Sequence, residues 1–192
     1  MTFKIFIAGD LHIPSRATML HPKFQAILQD ETWDFIVLTG DLTTTKVLKS
    51  FQKFLSDSNH LIACRGNMDK LSLPLRPTFN VEGLLFGVFH GTGIYPRGDI
   101  SQLKAIAREM KVKVLCTGHS HQTFVHKDEE HLILNPGTAT GASGGSSWTV
   151  DTAVMILSVT SHTKINSYEL TLDWYQISPK GKLSCTTKGF QL

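Results

Sequence analysis

One junction recurs six times in this chain and constrains its fold more than any other feature. An apolar run of strand length closes on a residue able to bind a metal ion or a phosphate. Residues 4–9 (KIFIAG) run into Asp10-Leu11-His12, 35–40 (FIVLTG) into Asp41, and 61–66 (LIACRG) into Asn67-Met68-Asp69. Residues 84–89 (LLFGVF) run into His90-Gly91, 114–118 (VLCTG) into His119-Ser120-His121, and 131–134 (HLIL) into Asn135-Pro136-Gly137. Open α/β sheets gather functional groups outside the carboxyl ends of their strands, so neighbouring strands would bring these polar tips into one crevice. Alternate residues of an extended segment point the same way. Asp10 with His12, and His119 with His121, can therefore each aim two side chains at one point. Glycines directly before Asp10, Asp41, Asn67 and His119 permit sharp turns there.

Between the runs of the first half lie helical patterns. Pro22–Leu28 is expected to be a short helix. A second, capped by Thr43 or Thr44, is expected to reach about Ser56, with Val47, Leu48, Phe51, Phe54 and Leu55 on one face and Lys46, Lys49 and Lys53 facing water. Strands alternating with helices imply parallel βαβ units. In the second half, Phe79–Val81 and Leu84–Phe89 flank a tight turn at Glu82-Gly83, and Asp99–Met110 reads as a helix. Val112–Thr117 reads as a strand, and Thr123–His126 and His131–Leu134 flank an acidic turn. Ala153–Val159, Ile165–Leu172 and Trp174–Ile177 read as antiparallel strands, and Gly137–Ser147, rich in small residues, as a mobile surface loop. The expected fold class is α/β: a two-sheet α/β/β/α sandwich with mixed parallel and antiparallel strands, parallel first and antiparallel later, forming a single domain over residues 1–192.

Composition fits. At 192 residues, 41% hydrophobic and 18% charged, the chain can bury a sizeable core, and chain-wide disorder is excluded. A net charge of +3, scattered along the sequence, gives little support for binding nucleic acid or a membrane surface. Three widely spaced cysteines suit a reducing compartment, and Cys64 and Cys116 lie inside apolar strands, where packing is the expected role. No apolar run reaches membrane-spanning length, and the opening MTFKIFIAGD lacks a signal peptide's cleavage region. Of nine histidines, His21, His60, His126, His131 and His162 lack the strand-end context and are expected at the surface or partly buried.

The candidate ligands are two carboxylates (Asp10, Asp41), one amide oxygen (Asn67) and four imidazoles (His12, His90, His119, His121). Such a mixed set suits Zn, Mn or Fe better than Ca or Mg. Seven ligands exceed what one tetrahedral ion needs, whereas two ions about 3.5–4 Å apart, bridged by a carboxylate, would use them all. An Asp-x-His or His-x-His alone carries little weight, and a Gly-Asp after a strand is often only a turn. The weight lies in the ordered combination.

Taken in order, Asp10-Leu11-His12, Gly40-Asp41, Gly66-Asn67-Met68-Asp69, His90-Gly91, Gly118-His119-Ser120-His121 and Asn135-Pro136-Gly137-Thr138 resemble the motif blocks of the calcineurin-like metallophosphoesterases. Within that superfamily the chain is most similar to the small-subunit family of retromer. The closer motifs are Gly9-Asp10-Leu11-His12-Ile13-Pro14 with Arg16, Pro96-Arg97-Gly98-Asp99, and 135–142 (NPGTATGA). The resemblance runs from about Lys4 to Ile177; from Ser178 onward nothing matches.

The resemblance implies a metallophosphoesterase-like fold in which Asp10, His12, Asp41 and His121 hold one divalent metal, and Asp41, Asn67, His90 and His119 a second, as Zn or Mn. In active members the two ions activate a water for in-line attack on phosphorus, and a His after the Gly-Asn pair protonates the leaving oxygen. Here that position is Met68, whose thioether cannot donate a proton, and Thr92 stands two residues after His90, where relatives often carry a second His. Asp41, however, keeps a carboxylate where many retromer subunits carry Asn. The resemblance therefore implies a retromer scaffold subunit for endosomal retrieval, not an efficient enzyme; the alternative is an active dinuclear-metal phosphodiesterase or phosphatase. The implied partners are vacuolar protein sorting-associated protein 35, the α-solenoid retromer subunit, and retromer regulators. The implied location is cytoplasmic, on the cytosolic face of endosomes, with membranes contacted only through the complex. Ile94, Tyr95 and Pro96 fall where the solenoid contact would lie, and Met155 and Tyr168 match a second apolar patch that takes regulators.

Overall fold

The computed structural model describes residues 1–144, 150–162 and 167–192. Its elements run β1 (Thr2–Ala8), α1 (Pro22–Asp30), β2 (Phe35–Leu38), α2 (Thr45–Gln52), β3 (Leu61–Ala63), β4 (Thr78–Val81), β5 (Leu84–Phe89), α3 (Ile100–Met110), β6 (Val114–Thr117), β7 (Thr123–Lys127), β8 (Leu132–Pro136), β9 (Thr152–His162), β10 (Ser167–Ile177) and β11 (Leu183–Gln191). Caps fix the helix starts. The Thr44 side chain accepts from the Lys46 N–H, and the Asp99 carboxylate from Gln102 N–H at 2.8 Å. α2 stops at Gln52, short of the expected end, because its last turn tightens: Phe54 N–H and Leu55 N–H bond three residues back, to Phe51 O and Gln52 O.

Two sheets form, ordered β11-β10-β9-β1-β2-β3 and β4-β5-β6-β8-β7. In the first, β1, β2 and β3 are parallel and β9 lies antiparallel against β1. The second has a parallel centre, β5-β6-β8, with antiparallel β4 and β7 at its edges. The chain ends antiparallel as expected, with β9, β10 and β11 paired in turn; the parallel centre β5-β6-β8 comes before that, its strands nearly continuous apolar runs, as strands covered on both faces must be.

The period-2 alternation decides which side chains fill which layer. Ile5 and Ile7 of β1 enter the core between the sheets with Val37, Phe86, Val88, Val114, Leu132 and Leu134. Phe6 and Ala8 face the other way, onto Phe24 and Leu28 of α1 and Val47 and Phe51 of α2. Leu115 and Ile133 of the second sheet meet Leu103 and Ala107 of α3. The layers are therefore α/β/β/α.

Two local expectations are corrected, and one unassigned segment proves to be a strand. Leu172 and Trp174 belong to one strand, β10, because Asp173 faces outward and accepts a hydrogen bond from Thr187 Oγ1 at 2.6 Å, so its charge never enters the core. The unmatched C-terminal segment forms β11, paired to β10 along its length. Its side chains are mostly exposed and polar, so it carries no apolar period to read. The segment expected as a mobile surface loop is largely buried from Gly137 to Ala142. Ala139 N–H bonds Gly9 O, Thr138 Oγ1 donates to Asp10 O and Thr140 Oγ1 to Leu11 O. Residues 145–147 of that segment, and Ile165, lie outside the described residues.

Candidate metal centre

The carboxyl ends of β1, β2, β3, β5, β6 and β8 lie at one rim, and the chain turns sharply after them. Asp10, His12, Asp41, His119 and His121 all have positive φ, between 49° and 69°. A left-handed backbone at a non-glycine residue costs of order 1 kcal/mol, so five in one crevice mark strain gathered at a functional site. The rest of the fold holds that strain. Asp10 N–H bonds Gly40 O at 3.1 Å and His12 N–H bonds Asp41 O at 2.8 Å, which zips the β1 and β2 loops together. Close approach explains two of the glycines. A Cβ on Gly66 would sit 2.1 Å from Asp41 Oδ1, and one on Gly118 would sit 2.8 Å from Asp10 Oδ2.

The donor atoms converge. His12 Nε2 lies 3.2 Å from His121 Nε2, and His121 Nε2 lies 3.2 Å from Asp10 Oδ1. Asp41 Oδ2 stands 3.5 Å from both His12 Nε2 and His90 Nε2. His90 Nε2 is 3.3 Å from Asn67 Oδ1 and 4.0 Å from Asp10 Oδ1. A tetrahedral ion with bonds of about 2.0–2.2 Å keeps its donors roughly 3.3–3.6 Å apart. The observed spacings are those of ligands around shared centres, not of independent hydrogen bonds. Two tight groups result, Asp10-His12-His121 and Asp10-Asp41-His90, all buried. Asp10 Oδ1, fully buried, has no hydrogen-bond partner among the described residues, as expected of an oxygen whose partner is a cation. The donor set thus fits a pair of divalent ions. His119 stands outside both tight groups. Its N–H donates to Asp10 Oδ2 at 3.0 Å, and its ring packs edge-on to His90 with centroids 5.0 Å apart.

Surrounding groups set tautomers and charge. His90 Nδ1–H donates to Thr39 O, and His121 Nδ1–H to Ala142 O, each at 2.7 Å. When these rings are neutral, both bonds leave Nε2 bare toward the cluster. Burial disfavours charge on His90, but its hydrogen bond to Asp41, the charges of Asp10 and Asp41 and the Thr39 carbonyl outweigh that and push its pKa up to about 9. Burial likewise opposes the Asp41 charge, yet His90 and the Met68 N–H bring that carboxyl down to about 2. Burial, with the charges of His90 and Arg97, lowers His119 to about 4. Burial also lowers His12, against the pull of Asp41 and Asp10.

Several residues without an assigned role prove structural to the site. The Asp69 carboxylate accepts from the N–H groups of Asp41, Thr43 and Gly66 and so ties the β2 and β3 loops together. Buried Asn135 donates to Gly118 O and Ser120 Oγ, both at 3.0 Å, and fixes the loop that carries His119 and His121. Both lie in the motif blocks, and position there was the only signal. Met68 is 42% exposed at the rim, and its N–H donates to Asp41 Oδ1 at 2.8 Å.

The candidate partner-binding residues divide by burial. Tyr95 is 86% exposed and Pro96 is exposed beside it. Ile94 is corrected: it is buried against α3 and anchors the loop inward. Met155 is corrected too. It lies fully buried between the sheets because its position in β9 faces the inner layer, so it offers no surface. Tyr168 is half-buried, with its hydroxyl donating to Glu82 O at 3.0 Å. Among the other histidines, His131 is buried and the rest are exposed or half-buried. Cys64 and Cys116 are buried free thiols, their pKa values raised by burial.

Buried oxygen and nitrogen donors at the strand ends of a two-sheet sandwich define a metallophosphoesterase-like protein. A family model for the calcineurin-like phosphoesterase superfamily domain matches residues 3–161, and the chain belongs to that superfamily. A protein of Methanocaldococcus jannaschii named "Probable metallophosphoesterase MJ0623" is 37% identical over 140 residues, covering 72% of this chain and 69% of that protein. Among solved structures, Vps29 of Chaetomium thermophilum is similar at 26% identity with a TM-score of 0.79, over 98% of this chain and 97% of that one. Vps29 of Entamoeba histolytica complexed with Zn²⁺ aligns at 23% identity and a TM-score of 0.81, over 97% and 98%. Among the described residues no helix is long and apolar enough to cross a membrane.

Proposed function

We propose that this chain is a retromer-type small subunit, a metallophosphoesterase fold used mainly as a docking block. The observation that carries this reading is Tyr95, a large aromatic left 86% exposed five residues after His90, in the loop between that candidate ligand and α3. Tyr is favoured at interface hot spots, and here buried Ile94 anchors a short loop that presents it. The near full-length correspondence with Vps29 supports the same reading. The partner is the α-solenoid retromer subunit, vacuolar protein sorting-associated protein 35, and through it the chain reaches the cytosolic face of endosomes. Tyr168 is the residue left to contribute to a regulator patch.

Asp10, His12, Asp41 and His121 would hold one divalent ion, and Asp41, Asn67, His90 and His119 the other, as Zn or Mn. Such ions, when bound, lower the pKa of water and neutralise charge developing on a phosphoryl group. The chain's own residues provide the rest only in part. Asp10 belongs to both tight groups and Asp41 Oδ2 reaches His12 and His90 equally, Thr39 and Ala142 orient His90 and His121, and Asp69 and Asn135 hold the loops in place. At the acid position stands Met68, and loss of a general acid typically removes about 10²–10⁴-fold in rate.

The completeness of the donor set favours a second reading, in which the chain hydrolyses a small phosphodiester with an activated leaving group that needs no acid. The 37% identical metallophosphoesterase relative supports it. One experiment separates the two. The purified chain is assayed for binding to the solenoid subunit and for hydrolysis of an aryl phosphodiester with Mn²⁺. Tight binding, lost in Tyr95→Asp with the fold intact, together with slow or no turnover is the expected result. Turnover at ordinary enzyme rates, abolished by Asp41→Ala, with no solenoid binding would overturn the scaffold reading.

A further inference from the structure

Helices α1 and α2 enclose a groove that the metal centre does not use. Its cavity is about 780 Å³. Leu11, Leu20, Leu28, Val47 and Phe51 form a buried apolar floor. The walls are exposed and polar: Gln25 and Gln29, one turn apart on α1, face Lys46, Ser50 and Lys53 along α2. Met19, 60% exposed, also lines the groove, with a side chain flexible enough to repack against a partner. Another part of the lining, Leu11, Ile13 and Pro14, flanks His12 in the chain, so the groove lies beside the loop that carries that candidate ligand.

Charge narrows the occupant. No lining residue is acidic, and neither Lys46 nor Lys53 forms an ion pair among the described residues. The residues outside the description, 145–149 (GSSWT) and 163–166 (TKIN), contain no carboxylate that could supply one. The two lysines stand seven residues apart, two helical turns or about 10 Å along the groove. A trough between two helices, apolar below and basic along one edge, matches an amphipathic helix whose apolar stripe is flanked by acidic residues at the same seven-residue spacing.

We propose that this groove is the second part of the docking surface and takes an acidic amphipathic helix of the α-solenoid partner. The inference rests on the scaffold reading above. It adds a site that Tyr95 does not touch, whose contribution depends on salt because its lysines are exposed.

The test is titration calorimetry of the chain against the purified solenoid subunit at low and high salt. Lys46→Glu with Lys53→Glu should weaken binding about tenfold at low salt and flatten the salt dependence. Ser50→Trp places an uncharged ring in the groove and should weaken binding at both salts. All three positions are exposed, so thermal melting should be unchanged. Should the double reversal lower the melting temperature, Lys46→Gln with Lys53→Gln carries the same test with a smaller effect. If Tyr95→Asp abolishes binding while the groove variants bind as wild type, the groove proposal is overturned and the scaffold reading stands. If the wild-type chain does not bind the solenoid, both fall. If the groove variants alter only self-association in sedimentation, the occupant is a second copy of the chain and the proposal is overturned.

Discussion

Metal-free protein should lose stability as pH rises from 6.5 to 8.5, and His90 is the reason. Its folded pKa of about 9 lies above its ordinary value of 6.5. The stabilisation is therefore complete below pH 6.5 and lost as pH climbs through 9. A shift of this size is worth about 3 kcal/mol at pH 6.5, with about 1 kcal/mol left at pH 8.5, a loss of about 2 kcal/mol. The depressed Asp41 describes the same ion pair and is not counted again. For a chain of this length the loss lowers Tm by about 4–8 °C. His12, His119 and His131 have lowered pKa values, so they cost stability below about pH 7 and regain it as pH rises through the start of this window, which offsets part of the His90 loss. The raised buried thiols cost stability only near pH 9 and above. The assay is denaturant unfolding of chelator-treated protein across this range, with Asp41→Asn as control. The variant removes the charge nearest the proton, leaving Asp10 and the Thr39 carbonyl, and should show a clearly shallower profile. With Zn²⁺ present the trend should reverse, because the ion replaces the His90 proton and binds more tightly as that proton leaves. Equal slopes in wild type and Asp41→Asn would refute the assigned pairing.

Three further outcomes follow from the site. Met68→His should raise any residual aryl phosphodiesterase rate with Mn²⁺; an unchanged rate would mean that more than the proton donor has been lost. Gly66→Ala, whose Cβ would fall 2.1 Å from Asp41 Oδ1, should displace that carboxylate and weaken binding of both ions in calorimetry. Asn135→Ala leaves the Gly118 carbonyl without its side-chain donor and should cost about 1–3 kcal/mol in unfolding, while Zn²⁺ affinity falls as the loop bearing His121 loosens.

Much of the fold was legible because buried parallel strands must be continuously apolar and helices must show one apolar face. The runs ending at Ala8, Leu38, Phe89 and Thr117 are strands for that reason. β11 was not legible. Its exposed Ser, Thr and Lys side chains carry no pattern, and it is a strand only because β10 offers a hydrogen-bonding edge. The Gly137–Ala142 segment misled in the opposite sense. Its small residues signal a loop, yet small side chains are what allow it to pack beneath the ends of β1. Ile94 and Met155 show the limit for surface patches. An apolar residue in a loop or strand can face either way, and both turn inward.

The sequence by itself determined which residues stand at the ends of apolar strands, because hydrophobic period and glycine placement are local properties. Tertiary structure alone decided that Asp10, Asp41, His12, His90 and His121 meet within ligand distance, with His119 set slightly apart. It also decided which of their protons are held, since the charge on His90 depends on how close Asp41 lies and how little water reaches either group.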